Sequence, residues 1–145
     1  MNLEIYESQL NIAQKAIDNQ IIEYSKKIND NPNDFKSLAE LIFISLESKQ
    51  LESALELIEW AFQIYPHSLD LYSAKIQALL QSGRLKEAKI QIYKFIECYK
   101  LDKEYKRNAN FFFYLASIAE TIFNDLKLSE KLISISIREF PNDFR

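Results

Sequence analysis

A histidine, a serine and an aspartate lie within four residues of one another, as His67, Ser68 and Asp70. These are the residue types of an acyl-transfer triad, in which a base activates a hydroxyl nucleophile and a carboxylate orients the base. His67 and Ser68 are, however, chain neighbours directly after Pro66, where a turn is predicted. Neighbouring side chains in a turn do not give a base the required approach to a nucleophile. The sequence therefore predicts no catalytic triad and no enzyme.

Oxygen-bearing side chains that could bind a cation are concentrated at residues 30–34, which read Asp-Asn-Pro-Asn-Asp. A calcium loop of the EF-hand type also needs a glycine at its sharp turn and a glutamate further on, and this segment lacks both. One histidine and one cysteine, Cys98, are too few soft ligands for a zinc site. One glycine, Gly83, is too few for a glycine-rich phosphate loop. We therefore expect no metal ion and no cofactor.

The composition restricts the kinds of partner that the chain can bind. Its 145 residues are 48% hydrophobic, which fits one domain with a real core, and the net charge is −3. Lys and Arg are not concentrated enough for a nucleic-acid partner, and no run of about 18 apolar residues indicates a membrane span. The start of the chain lacks the features of a signal peptide, and a lone cysteine forms no internal disulfide. We expect a soluble cytoplasmic protein.

Apolar residues recur at helical spacing in three successive stretches of the chain. A short polar break, at 47–50, 81–84 and 124–125, divides each stretch into two predicted helices. The first helices carry their predicted core residues at Leu38, Leu41 and Ile42, then at Tyr72, Ile76 and Leu79, and finally at Phe113, Ala116 and Ala119. This pattern predicts an all-α chain built from helix pairs.

The helix pairs repeat with a period of about 34 residues, which separates Pro32 from Pro66. The distance from Pro66 to Pro141 exceeds two such periods by seven, and the segment Pro-Asn-Asp-Phe occurs near both ends of the array, at 32–35 and 141–144. The extra residues are therefore predicted between the second and third pairs. The charged segment 101–107 has no Gly or Pro, so we interpret it as a helical insert.

Capping and turn residues support this division into helices. Asp34, Ser68 and either Asn108 or Asn110 can accept hydrogen bonds from the first backbone N–H groups of a helix. Gly83 and Asn124 suit the left-handed position at which a first helix ends. Lys49 occupies the same slot in the first pair and suits it poorly, so a different turn is expected there.

From residue 33 to 145, these pairs resemble tetratricopeptide repeats, whose period is about 34 residues and whose helix pairs close with proline. Ala54 and Ala88 match the family's small residue in the second helix, and Ala61 and Pro66 match further positions. The first helices depart from the family pattern, because Ile42 and Ile76 replace its glycine.

The resemblance implies a right-handed superhelix, or α-solenoid, of about three pairs at residues 33–66, 67–100 and 108–141 within an array covering 32–145. In the family, the first helices line a concave groove that receives a peptide. Carried onto this chain, the groove positions imply that these residues bind a partner: Phe43, Leu46, Gln77, Leu80, Phe111, Tyr114, Ile118 and Ile122. Most are apolar, so a protein or peptide segment with apolar anchors is the expected partner.

A second apolar stripe on the second helix of the first pair also needs cover. Leu57, Trp60 and Ile64 lie apart from the stripe of Ala54, Ile58 and Ala61 that should face the core. The next repeat, a partner or another copy of the chain could cover it, so we interpret it as a second candidate interface.

Residues 1–31 carry apolar residues at alternating spacings of three and four, which predicts either one long helix or, with a break at 18–19, a divergent helix pair. A cap that shields the first repeat is favoured over a coiled-coil dimer. We expect a non-enzymatic adaptor or chaperone-like module. The alternatives are a self-assembling structural module, with a homodimer through residues 1–31 or the Trp60 stripe, and the recognition domain of a longer enzyme.

Overall fold

The computed structural model describes residues 3–31, 33–101 and 109–139, and these ranges contain seven α-helices and no strand. The helices are α1 Leu3–Asp30, α2 Phe35–Glu47, α3 Leu51–Ile64, α4 Leu69–Gln81, α5 Leu85–Leu101, α6 Ala109–Thr121 and α7 Leu126–Glu139. The predicted all-α helical repeat is confirmed, while its superhelical course stays a prediction. The insert at 101–107 lies outside the described residues apart from Leu101, with which α5 ends. Pro32 and Pro141 also lie outside them.

The chain divides into two compact units, residues 1–82 and 83–145. In the first unit α1 packs on α2, α2 on α3 and α3 on α4, and α2 also contacts α4. In the second unit α6 packs on α7, and aromatic side chains of α5 contact those of α6. Each unit has a core of fully buried side chains, with Leu38, Ile58 and Ile76 in the first and Phe95, Phe112 and Leu132 in the second.

Residues 3–30 form one helix, without a break at 18–19. The second half of α1 packs on α2: Ile28 is buried there, and Ile17, Ile21 and Tyr24 are half-buried. Residues 11–16, in the first half, are all exposed. Only half of this helix therefore covers the first repeat.

Two of the predicted helix caps are confirmed by their hydrogen bonds. Asp34 precedes α2, and its carboxylate accepts from the Ser37 backbone N–H at 3.2 Å and from the Ser37 hydroxyl at 2.7 Å. Ser68 precedes α4, and its hydroxyl oxygen accepts from the Leu71 N–H at 3.3 Å. Asn108 lies outside the described residues, and Asn110 is inside α6 rather than at its cap. The sequence thus locates the starts of α2 and α4 through side chains that satisfy free backbone donors.

The residues that end the first helix of each pair lie in the same region of φ. Lys49, Gly83 and Asn124 all have positive φ, at 62°, 76° and 50°. The expectation of a different turn at Lys49 is wrong, because α2 ends in a Schellman motif despite the side chain. The Gln50 N–H donates to the Ser45 carbonyl at 2.9 Å and the Lys49 N–H to the Leu46 carbonyl at 3.1 Å. These two hydrogen bonds hold a conformation that a lysine alone disfavours.

Opposite substitutions at two of these turns test whether positive φ is costly for a residue with a side chain. Lys49→Gly is expected to raise the free energy of unfolding by roughly 0.5–1 kcal/mol, because glycine adopts positive φ without a Cβ penalty. Gly83→Ala is expected to lower it by about 1 kcal/mol. A Cβ at residue 83 would meet nothing within 4 Å, so this loss is backbone strain alone. Urea unfolding measures both changes, and a loss of stability in Lys49→Gly would contradict the account.

The helix boundaries divide the seven extra residues between two places. The first helices begin at residues 35, 69 and 109, and the second helices begin at residues 51, 85 and 126. From the second pair to the third, the step between first helices is therefore longer than one period by six, and the step between second helices by seven. Six extra residues thus precede α6, and one lies between α6 and α7. The pattern of buried residues in α6 matches that in α4 when both are counted from the start of the helix. Ala116 and Ala119 are buried, as are Ile76 and Leu79 at the same places in α4.

Candidate interaction surface

The segment at His67 is a helix start. The Ser68 hydroxyl caps α4, and His67 is exposed in the preceding turn. Within the described ranges, no group of three or more His, Cys, Asp or Glu side chains could hold a metal ion. None of the helices described is long and apolar enough to cross a membrane.

In the first unit, the predicted partner-binding residues differ in exposure. Phe43 is 58% exposed on α2, and Gln77 and Leu80 on α4 are half-buried. Leu46 is buried, as part of the core of this unit. Their binding of a partner stays a prediction, but Phe43 is the one of these four that offers a large apolar surface.

In the second unit, the position at which α6 starts decides which of its side chains are open. Phe111 is buried, and its ring packs against Phe95 of α5 with centroids 5.2 Å apart. Tyr114 and Ile122 are 44% and 45% exposed, and Ile118 between them is half-buried. Ile122 directly follows the end of α6, and its N–H donates to the Ile118 carbonyl at 2.9 Å. These three residues, spaced by four, form what we call the α6 stripe: Tyr114, Ile118 and Ile122.

Phe113 is an exposed residue that the sequence pattern assigns to the core. It is 37% exposed, and counted from the start of the helix it corresponds to Ala39 of α2, which is also exposed. Counted back from the turn that follows the helix, Phe113 corresponds instead to Tyr72. The two counts differ by the one extra residue between α6 and α7. The run of aromatic residues at 111–114 was the available signal that some of these rings must point outward.

The second candidate interface lies beside a groove between α1 and α3. Leu57 and Ile64 are half-buried, and Trp60 is 36% exposed. Together with Ile21 and Glu56, Leu57 and Trp60 line a groove of about 320 Å³. Whether this surface binds a partner stays a prediction.

Asp125 makes three polar contacts in the second unit. Its carboxylate accepts from the Leu128 N–H at 3.0 Å at the start of α7, pairs with the Lys89 ammonium at 3.0 Å and accepts from the Tyr93 hydroxyl at 3.4 Å. The Leu128 hydrogen bond, followed by the hydrogen bond from Lys89, lowers the pKa of Asp125 below its ordinary value. Asp125 thereby fastens the start of α7 to α5.

The lowered pKa predicts a loss of stability in acid. A carboxyl group whose pKa is lower in the folded chain stabilises the fold above its unfolded pKa of about 4, and this contribution disappears as the pH falls through the folded pKa. Asp34 behaves in the same way, since the Ser37 hydroxyl and N–H lower its pKa. Asp125→Asn should therefore lower the thermal midpoint at pH 7 and have less effect at pH 3. An equal effect at both values would contradict this role.

Ser73 is fully buried in α4, and its hydroxyl finds no hydrogen-bond partner among the described residues. Ser73→Ala is therefore expected to raise the free energy of unfolding by about 1 kcal/mol, because an unsatisfied buried hydroxyl is costly. Ser45→Ala is the matched control, since the buried Ser45 hydroxyl donates to the Leu41 carbonyl at 2.9 Å. Chemical denaturation should give a clearly larger gain for Ser73→Ala, and equal changes would rule the explanation out.

A comparison with protein families identifies the repeat. Residues 45–92, about a third of the chain, match the model of the tetratricopeptide repeat family. A search of curated proteins gave no match. Repeats of this family mediate protein–protein interactions and are generally not enzymes. The matched span runs from the end of α2 into α5 and so joins the first two helix pairs. The match supports the resemblance to tetratricopeptide repeats seen in the sequence.

Proposed function

We propose that the chain is an adaptor or chaperone-like module without catalytic activity, and that its α6 stripe binds an apolar segment of another protein. The observation that carries this proposal is the exposure of Tyr114 on the first helix α6 and of Ile122 directly after it, beside half-buried Ile118. The Ile122 N–H still donates to the Ile118 carbonyl at 2.9 Å, so Ile122 continues the helical line. First helices are the ones that line the binding surface in tetratricopeptide repeats. The repeat match supports the general interaction role, and the stripe adds the chemistry of the partner.

The spacing of the stripe indicates the kind of segment it would bind. Side chains four residues apart lie along one edge of a helix, so Tyr114, Ile118 and Ile122 offer a line of apolar contacts. An amphipathic helix with apolar residues at three- and four-residue spacing is complementary to such a line. The tyrosine hydroxyl can remain in water at the rim while its ring is covered.

Burial of apolar surface would supply the binding free energy. Covering a fully exposed large apolar side chain contributes about 1.5–3 kcal/mol. The residues of the stripe are already about half covered, so each adds roughly half of this, from which the cost of association is subtracted. Three anchors of this kind give modest affinity. Such affinity suits a module that holds and releases a segment, as an adaptor or chaperone must.

Selection of peptides from a random displayed library on the purified protein tests the proposal. We expect the enriched peptides to carry apolar residues at helical spacing. The combined change Tyr114→Glu and Ile122→Glu should weaken their binding at least about tenfold, because charges replace apolar contacts. Both residues are exposed, so the helical circular dichroism signal should be unchanged.

Ile137→Glu is the control, since Ile137 is 52% exposed on α7 and outside the stripe. It should bind the selected peptides like the wild type. Peptides that bind all three proteins equally, or a library that yields no apolar pattern, would contradict the assignment of the stripe.

A further inference from the structure

The first half of α1 carries an apolar stripe that continues the one packed on α2. Along the whole helix this stripe consists of residues spaced by three or four: Leu3, Tyr6, Leu10, Ala13, Ile17, Ile21, Tyr24 and Ile28. From Ile17 onward it faces α2, whereas Leu3 is 67% exposed and Ala13 is also exposed. One half of this helix of 28 residues is about 21 Å long. Leu3 and Ala13 thus mark a stripe that α2 is too short to cover.

An open groove lies beside the second half of the same helix. Ile17 and Tyr24 of α1 and Phe43 and Ile44 of α2 line a space of about 350 Å³, flanked by the carboxylates of Glu40 and Glu47. Phe43 is the most exposed of its apolar side chains, at 58%. The groove therefore offers an apolar floor with polar edges.

The packing of the repeat indicates that a further helix could pack in this groove. Within the first unit, α2 packs both on α3, the second helix of its own pair, and on α4, the first helix of the next pair. In the same order of helices, α1 takes the place of the second helix of a preceding pair, and α2 is the first helix of the pair that follows. A helix placed against α1 and α2, as α2 is placed against α3 and α4, would lie in this groove, antiparallel to α1.

We propose that the first half of α1 from a second copy of the chain fills this groove, in an antiparallel dimer with twofold symmetry. Each copy then supplies one stripe and one groove, so a single symmetric contact covers both features in both copies. The groove runs along the second half of α1, from Ile17 to Tyr24, and the segment that would fill it is the first half, 3–16. In this pairing, the second half of each stripe packs on the α2 of its own copy, and the first half packs on the α2 of the other copy.

The middle of α1 suits such a crossing. Ala13 and Ala16 lie near its centre, and small side chains allow two helix axes to approach closely. The charged residues of the first half, Glu4, Glu7 and Lys15, fall between the stripe positions and can stay in water. The stripe therefore brings apolar side chains into the contact, while Glu40 and Glu47 lie at the edges of the groove.

Sedimentation equilibrium of the full chain across micromolar to millimolar concentration tests the dimer. The wild type should be a dimer, and Ala13→Glu and Phe43→Glu should each raise its Kd by about 100-fold or more, because symmetry places the new charge in the contact twice. Ile22→Glu is the matched control. Ile22 is 64% exposed on α1 and lies off the stripe, so its Kd should be unchanged. A monomer at every concentration, or a dimer that Ile22→Glu disrupts and Phe43→Glu does not, would overturn the proposal.

Disulfide trapping tests the antiparallel direction separately. In a pairing centred between residues 16 and 17, residue 13 of one copy lies opposite residue 20 of the other. In a Cys98→Ser background, Ala13→Cys combined with Gln20→Cys should give a covalent dimer, whereas Ala13→Cys alone should not. If Ala13→Cys alone gave as much covalent dimer, the helices would be parallel and the proposed antiparallel dimer would be wrong. These substitutions leave the α6 stripe intact, so failure of the dimer and failure of peptide binding remain distinguishable.

Discussion

Phe112→Ala is expected to lower the free energy of unfolding by about 3–5 kcal/mol, which is the range for removing a buried phenylalanine ring. Phe112 is fully buried at the centre of the second unit. Its ring lies 5.1 Å from that of Tyr99, 5.8 Å from that of Phe95 and 6.3 Å from that of Phe111, measured between centroids. The substitution leaves a cavity between α5 and α6 and also removes these aromatic contacts. Urea unfolding followed by circular dichroism measures the loss.

Phe113→Ala is the matched control for this prediction. It makes the same chemical change at the next residue of the same helix, so differences in helix propensity cancel. Because Phe113 is 37% exposed, its removal leaves a smaller cavity and less lost burial. We expect a clearly smaller loss of stability than for Phe112→Ala. Equal losses would show that the face of α6 assigned to the core is wrong.

The sequence predicted the helix pairs well because their ends depend on local chemistry. Asp34 and Ser68 cap helices through bonds to backbone groups three residues away, and Gly83 and Asn124 adopt the conformation that their types favour. Such signals are contained in a few neighbouring residues. Lys49 is the exception: its left-handed conformation is held by hydrogen bonds of the turn, which residue preference alone does not reveal.

The sequence was less informative about the face of α6, because that face depends on where one extra residue lies. Counting from proline to proline gives the total of seven but does not divide it between the segment before α6 and the turn after it. A shift of one residue turns a helix face by about 100°. Phe111 was therefore expected in the groove but is buried in the core, whereas Phe113 was expected in the core but is exposed.

The two halves of α1 show a different limit of sequence reasoning. Ile17, Ile21 and Ile28 contact the first repeat, and Leu3 and Ala13 continue the same spacing on an exposed surface. An apolar stripe indicates that a face becomes covered, but it does not identify what covers it. Only the length of α2, 13 residues against the 28 of α1, determines how much of the stripe the chain can cover in this way.

Ile58→Ala in the first unit is expected to lower the free energy of unfolding by about 2–5 kcal/mol. Ile58 is fully buried on α3, on the same stripe as Ala54 and Ala61, which are also fully buried. Alanines at these neighbouring positions let the adjoining helices approach α3 closely, so Ile58 provides much of the volume that fills the space between them. Its loss cannot be compensated by short neighbours, which favours the upper part of the range. Denaturant unfolding measures the change.

The comparison that makes this prediction specific is Ile64→Ala, the same chemical change on the same helix. Ile64 is half-buried and belongs to the stripe of Leu57 and Trp60, so part of its surface is already in contact with water. Its truncation should cost clearly less than that of Ile58, because less apolar area returns to water and solvent can fill the space. If the two substitutions cost the same, the Trp60 stripe would have to be part of the core of the first unit. Its role as a candidate interface would then be withdrawn, since a surface already covered by its own chain has no apolar area left to offer a partner.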